Sequence, residues 1–278
     1  MTVRMNRRSL LVGAVGVAAA VGAVPLVSAK RAALAASAAP TAATLSHDSG
    51  RLSGGQTIVL TGDHLDNVTS VLFGGRPATI ASATTAALTI VTPHQARYTP
   101  KRVQVTLVAE DGSTVDPALV YRYRVVTDVD RQLRYAFRYW KHYNSAVYGD
   151  FNASGGDCAN FVSQTLAARG WAPTAEWSPR LTDWVYAPSL STWLGQQPGV
   201  TRLGMHQRAK LKVGDVAFFD WNHNGVPDHT MVVSDLVTGA DGHIDVKLVG
   251  HNLDYRFRDM DTSVATRWPG YDVWYYSI

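Results

Sequence analysis

A single cysteine, Cys158, occurs in 278 residues. One thiol cannot close an intrachain disulfide, so Cys158 is a free thiol, a link to another chain, or a nucleophile. The first 43 residues contain no Asp or Glu, although they hold five of the 26 Lys and Arg residues. The rest of the chain is left with 21 basic against 22 acidic residues, a balance with no electrostatic footprint for nucleic acid. Nucleic acid is excluded as a partner. Tryptophan is absent before Trp140, yet eight follow from there on. That shift in composition divides the chain near Thr127.

The acid-free start has a purpose of its own. Arg4, Arg7 and Arg8 precede a small-residue apolar run from Leu10 to Val27, and Val27-Ser28-Ala29 offers a cleavage site. This predicts a secretory signal over residues 1–29 rather than a stable membrane span. Asn6-Arg7-Arg8-Ser9-Leu10-Leu11 resembles a twin-arginine signal, and an ordinary positive n-region would look the same. Residues 30–44 are rich in Ala, Ser, Thr and Pro and lack aromatics, which predicts a disordered linker. The mature protein is expected to be secreted, extracellular or associated with a bacterial cell surface.

From Leu45 to Tyr123 short β-type runs alternate with turn clusters. The runs are Gln56 to Thr61, Val68 to Phe73, Ala87 to Val91, Val103 to Ala109 and Leu119 to Tyr123. Such spacing predicts a small β-sandwich over 45–125. After Thr127 the pattern changes to helices at Arg131 to His142 and Asp157 to Arg169, with a short one around Ser191 to Gln196. Strands follow at Val216 to Phe219, Thr230 to Leu236, Ile244 to Gly250 and Val273 to Tyr276. The fold class is therefore α+β.

Cys158 falls in the first turn of a predicted helix, behind the plausible N-cap Asp157, with Gly170 closing the far end. Unpaired N–H groups and the helix dipole favour negative charge there, which predicts a lowered thiol pKa. His229 opens a predicted strand 71 residues later, where its ring can project toward the helix start. A third group should orient that imidazole. His251 and Asn252 end the next strand and are the candidates, and alternation allows at most one of them to reach. The backbone N–H of Cys158 is a natural oxyanion donor, with Tyr148 or Asn152 as candidates for a second.

These segments carry two resemblances. Ser53-Gly54-Gly55-Gln56-Thr57-Ile58-Val59-Leu60-Thr61-Gly62, followed by Val71-Leu72-Phe73-Gly74-Gly75-Arg76-Pro77-Ala78, resembles an IPT/TIG immunoglobulin-like domain. This implies a binding or spacing module. Asp157-Cys158-Ala159-Asn160-Phe161-Val162-Ser163-Gln164, Gly214-Asp215-Val216-Ala217-Phe218-Phe219-Asp220-Trp221, Asp228-His229 and Gly250-His251-Asn252 resemble the amidase-domain family of secreted bacterial proteins. That family is similar to NlpC-type and CHAP-type cell-wall hydrolases. The resemblance spans roughly 127–278 and implies a papain-like catalytic domain, with Cys158 as nucleophile, His229 as general acid/base and His251 as orienting group. Asn252 could instead match the CHAP asparagine. Ala159 departs from the family's usual Thr or Ser, which bears on substrate fit.

The implied reaction is hydrolysis of amide bonds in peptides or peptidoglycan, with no cofactor required. A catalytically silent surface-binding protein, or a transpeptidase or transglutaminase using the same pair, are the competing readings. Asp220, Asn222, Asn224 and Asp228 occupy positions 1, 3, 5 and 9 of a calcium-loop pattern with Gly225 at 6, but Met231 stands at 12. Calcium is one expectation, and a hairpin of Asx turns is the commoner outcome for these residues. Trp177, Trp184 and Trp193 are the candidates for stacking on a glycan.

Overall fold

The structure, a computed structural model, describes residues 38–278. The predicted secretory signal and most of the predicted linker lie outside them. Residues 38–278 form one compact unit. Among the described residues no helix is long and apolar enough to cross a membrane.

The first half contains Thr41–Leu45 (β1), Ser49–Arg51 (β2), Thr57–Asp63 (β3), Val68–Phe73 (β4), Arg76–Pro77 (β5), Thr79–Ala83 (β6), Ala87–Val91 (β7), Lys101–Ala109 (β8), Thr114–Val115 (β9) and Val120–Arg124 (β10). They make two sheets, β1-β3-β7-β6 and β2-β10-β8-β4-β5, with β9 on β8. Alternating residues such as Ile58, Leu60, Leu88, Ile90, Val105 and Leu107 face inward and are fully buried. The predicted linker is too long by four residues. Thr41 to Thr44 belong to β1, whose backbone pairs with β3, so hydrogen bonding orders a stretch that composition alone would leave free.

The second half contains Asp128–Tyr139 (α1), Ser145–Tyr148 (α2), Cys158–Arg169 (α3), Thr182–Val185 (α4) and Ala187–Gly195 (α5). Then come Thr201–Gly204 (β11), Val216–Asp220 (β12), His229–Thr238 (β13), Ile244–Gly250 (β14), Tyr255–Asp259 (β15), a short helix Ala265–Arg267 (α6) and Asp272–Ser277 (β16). The six strands form one antiparallel sheet in the order β11-β16-β12-β13-β14-β15. Thr127 opens α1 with a capping box in which its side chain accepts from Asp130 N–H, which is worth about 1 kcal/mol.

The sheet is covered on both faces. Val216, Phe218, Val232, Val249, Trp274 and Tyr276 pack toward α3, whose residues from Cys158 to Leu166 are all buried. Ala217, Phe219, Met231, Val233, Leu248 and Tyr275 pack into a second core on the opposite face. This arrangement decides which side chains of β13 can reach α3.

The sandwich and the second half also share buried contacts. Asp130, fully buried on α1, accepts from Ser53 N–H at 2.7 Å and from Val126 and Thr127 N–H. Tyr98, also fully buried, donates from its hydroxyl to the carbonyl of Ser234 on β13 at 2.5 Å. Arg76 and His94 both meet Asp235 on the same strand, at 3.4 and 2.9 Å.

Candidate active site

Two glycines set the entry to α3. Gly155 and Gly156 have φ of +108° and +128°, values that side chains rarely tolerate, and a Cβ on Gly156 would come 3.0 Å from Asn252 Nδ2. Asp157 follows at the N-cap position, but its side chain does not cap the helix. Its carboxylate is buried and accepts from Phe151 N–H at 3.0 Å, from Asn160 Nδ2 at 2.9 Å, and meets His251 Nδ1 at 2.6 Å. The other ring nitrogen of His251 donates to the Tyr139 carbonyl at 2.9 Å, and the ring stacks on Tyr143 at 3.6 Å. Asn252 accepts from Asp157 N–H at 2.8 Å and donates to Asn152 Oδ1 at 3.0 Å.

This network corrects the expected role of the third group. One nitrogen of His251 is engaged by Asp157 at the start of α3 and the other by Tyr139 at the end of α1, so neither is left to orient His229. Asn252 is likewise spent on Asp157 and Asn152. The two residues brace the peptide that presents Cys158.

Cys158 as a residue is 8% exposed. Burial pushes its pKa up to about 11, and the negative charge of Asp157 adds to that. The backbone N–H groups of Thr230, Ala159 and Cys158 pull the other way without winning. The expected lowering by the helix start is therefore overridden by desolvation. The resting sulfur is a neutral thiol.

His229 is the first residue of β13 and pairs with Phe219. Its ring lies against Phe219 and Trp221, with centroids 6.1 and 5.9 Å away. Phe219, Met231 and Val233 belong to the core on the face away from α3, and His229 shares their side of the strand. The imidazole thus departs from expectation and is turned away from Cys158, while the adjacent Thr230 N–H meets the sulfur. Burial pushes the imidazole pKa down to about 3, and the Arg258 guanidinium adds to the effect.

Cys158 lines a cleft of about 200 Å³ together with Gly155, Tyr186, Pro188, Val226 and Asp228. Tyr148 and Asn152 are not among its walls. Tyr148 stacks on Trp184 at 5.7 Å, and Asn152 Oδ1 takes the Asn252 amide. The tryptophans are core rather than platform: Trp177 and Trp184 are fully buried, Trp193 is 7% exposed, and Trp177 stacks on Trp193 at 4.5 Å and meets Trp184 at a tilt at 4.6 Å. Nothing in the sequence pattern singled out Tyr186 or the Thr230 amide, since both roles arise from tertiary placement.

The Asp220 loop folds on its own backbone. Asp220 accepts from the N–H groups of Asn222, Asn224 and Gly225 at 3.2, 3.3 and 2.7 Å. Asn222 accepts from Asn224 N–H, Asn224 from Val226 N–H, and Asp228 from Trp221 N–H. Oxygens turned onto amides in this way make Asx turns.

An immunoglobulin-like sandwich fused to an α+β domain with its cysteine at a helix start defines a class of two-part chains, and comparison gives the family. Residues 127–276 match the family described as "Putative amidase domain", and residues 40–123 match the IPT/TIG domain. The first match spans more than half of the chain, and the chain belongs to that amidase-domain family, which points to a hydrolase. It is 30% identical over 86 residues to the "Uncharacterized protein YjcM" of Bacillus subtilis (strain 168), covering 28% of this chain and 21% of that protein. The chain thus spans about a fifth of the length of that relative. Among solved structures, the plexin A4 extracellular region is similar at 26% identity over 31% of this chain and 9% of that one, with a TM-score of 0.29. The surface glycan-binding protein PbSGBP-B from Prevotella bryantii is similar at 19% identity over 32% of this chain and 22% of that one, with a TM-score of 0.25.

Proposed function

We propose that the chain is a secreted bacterial cysteine amidase of papain-like design that cuts amide bonds in peptidoglycan or a related cell-surface substrate. The observation that carries this reading is the position of the chain's one thiol. Cys158 opens α3 on the wall of a cleft, and its sulfur faces the Thr230 N–H, one residue from His229. The acid-free basic and apolar N-terminus supports export.

The resting groups constrain the mechanism. With its pKa pushed down to about 3, His229 is a free base at neutral pH, and Cys158 holds its proton. The pair therefore works without a preformed ion pair. His229 sits at the strand's first position, behind the Asn222 to Asp228 loop, and proton transfer requires its ring to leave the packing against Phe219 and Trp221 and reach the cleft side. The Sγ–C bond then forms as the thiol proton passes to the imidazole, and the carbonyl electrons move to oxygen. Backbone N–H groups at the start of α3 hold that oxyanion. Collapse breaks the C–N bond, the imidazolium returns its proton to the departing amine, and water deprotonated by His229 releases the acid from the thioester.

The raised thiol and turned imidazole also favour a second reading, a catalytically silent binder. Digestion of purified sacculi by wild type, Cys158→Ala and His229→Ala, followed by mass spectrometry of the released fragments, separates the two. The amidase reading expects fragments from wild type only. Their absence from wild type, or their persistence in Cys158→Ala, refutes it. An added amine appearing in the products would identify a transpeptidase or transglutaminase.

A further inference from the structure

The sandwich carries a second cleft, of about 250 Å³, formed where the β4–β5 turn approaches the start of β8. The charged residues lining it are Arg76, Lys101 and Arg102, all cations, with the amides of Gln95 and Gln104 between them. Gly74 forms part of the wall, with φ of +59° and a hydrogen bond from its N–H to the Gln104 carbonyl at 2.9 Å. A Cβ there would come 2.9 Å from Val103 Cγ1, so a glycine keeps the turn closed onto β8.

Gathering three like charges in one concavity raises the local positive potential and is unfavourable in the absence of counter-charge. The nearest compensation is incomplete. Arg76 reaches one carboxylate, Asp235, at 3.4 Å, and Asp235 is shared with His94 at 2.9 Å. The buried Nε–H of Arg76 has no acceptor among the described residues. At the far end Gln104 donates to Asp116 Oδ1 at 2.5 Å, which fixes the amide side chain. Lys101 and Arg102 are exposed and bring their charges without a commitment in the ion pairs of this structure.

From this we infer that the cleft at Arg76, Lys101 and Arg102 is a binding site for a compact, doubly charged oxyanion of the phosphate type. Arg76 supplies a guanidinium already held in place by its contacts with His94 and Asp235, so little rotamer entropy is lost on binding. Lys101 and Arg102 supply the mobile charges that close on the ligand. The site lies on the sandwich and does not depend on the chemistry at Cys158.

The test is calorimetric titration of the full chain at low ionic strength with inorganic phosphate and, separately, with sodium acetate. Saturable one-to-one binding of phosphate is expected, about tenfold tighter than acetate because a second charge is engaged. Lys101→Gln with Arg102→Gln, both at exposed positions where folding is undisturbed, should weaken phosphate by about tenfold or more. Added sodium chloride should weaken it too. A polymer bearing phosphomonoester groups compared with free phosphate then tells a wall-type ligand from a soluble one. Acetate binding as tightly as phosphate, no saturation with phosphate, or an affinity unchanged in the double variant overturns the proposal.

Discussion

The resting state of Cys158 can be read by alkylation across pH. With the thiol pushed up to about 11, the fraction ionised at pH 8 is about one in a thousand. An ordinary thiol, with a pKa of about 8.5, is roughly one quarter ionised at that pH. The native chain therefore holds about 200-fold less thiolate than the same chain unfolded in urea. A more basic sulfur is also a better nucleophile. For a difference of about 2.5 units and a Brønsted slope near 0.45, each thiolate reacts about tenfold faster, so the net rate is about 20-fold lower in the native protein. The 8% exposure of the residue lowers it further. Iodoacetamide labelling followed by intact mass needs no site mapping, because the chain has one cysteine. The rate should climb by close to tenfold per pH unit between about 7 and 10 and be insensitive to His229→Ala. A plateau below pH 7 that disappears in His229→Ala would refute this reasoning, because sulfur and imidazole would then be paired as ions before substrate arrives.

Three further outcomes follow from the same geometry. Because the folded pKa of His229 lies at about 3 against 6.5 for a free imidazole, the unfolded chain binds the proton more readily. Its contribution is intact above pH 6.5 and is lost as pH falls toward 3, by up to about 1.4 kcal/mol per unit. Urea titrations of His229→Gln should lack that part of the slope. Asp157→Asn leaves the buried His251 ring without its carboxylate, and should cost about 3 kcal/mol, or a fall of about 10 °C in Tm by calorimetry. A loss below about 1 kcal/mol would mean that the His251 brace is not formed. Chelation with EDTA should leave Tm unchanged, whereas Asp220→Ala should cost about 2–3 kcal/mol by orphaning the loop amides. A rise in Tm with added calcium would reverse the assignment of that loop.

Much of the framework was legible because its local signals agree with its tertiary environment. The runs Val68–Phe73, Ala87–Val91 and Ile244–Gly250 are strands as their composition suggests, and Gly170 ends α3 in a left-handed conformation. What escaped was decided by packing. The first residues of β1 have no apolar pattern, and Thr201–Gly204 and Tyr255–Asp259 are edge strands ordered by pairing with β16 and β14. Burial extends beyond the apolar stripe of α3 to the polar Asn160, Ser163, Gln164 and Thr165 because α1, α4 and the sheet surround it. The side of β13 that carries His229 was hidden for a related reason. Met231 and Val233 on one face and Val232 on the other are equally apolar, so alternation cannot say which face meets the helix.

The strand that begins with His229 continues to the sandwich, where Ser234 and Asp235 are gripped by Tyr98, Arg76 and His94. A tethered module would let the cleft sample every angle to a polymer. Here the angle is built in: whatever surface the sandwich rests on also aims the cleft, so reach is traded for a constant line of approach. Lengthening the connection between residues 124 and 128 would then change what the cleft can address before it changed any chemistry within it.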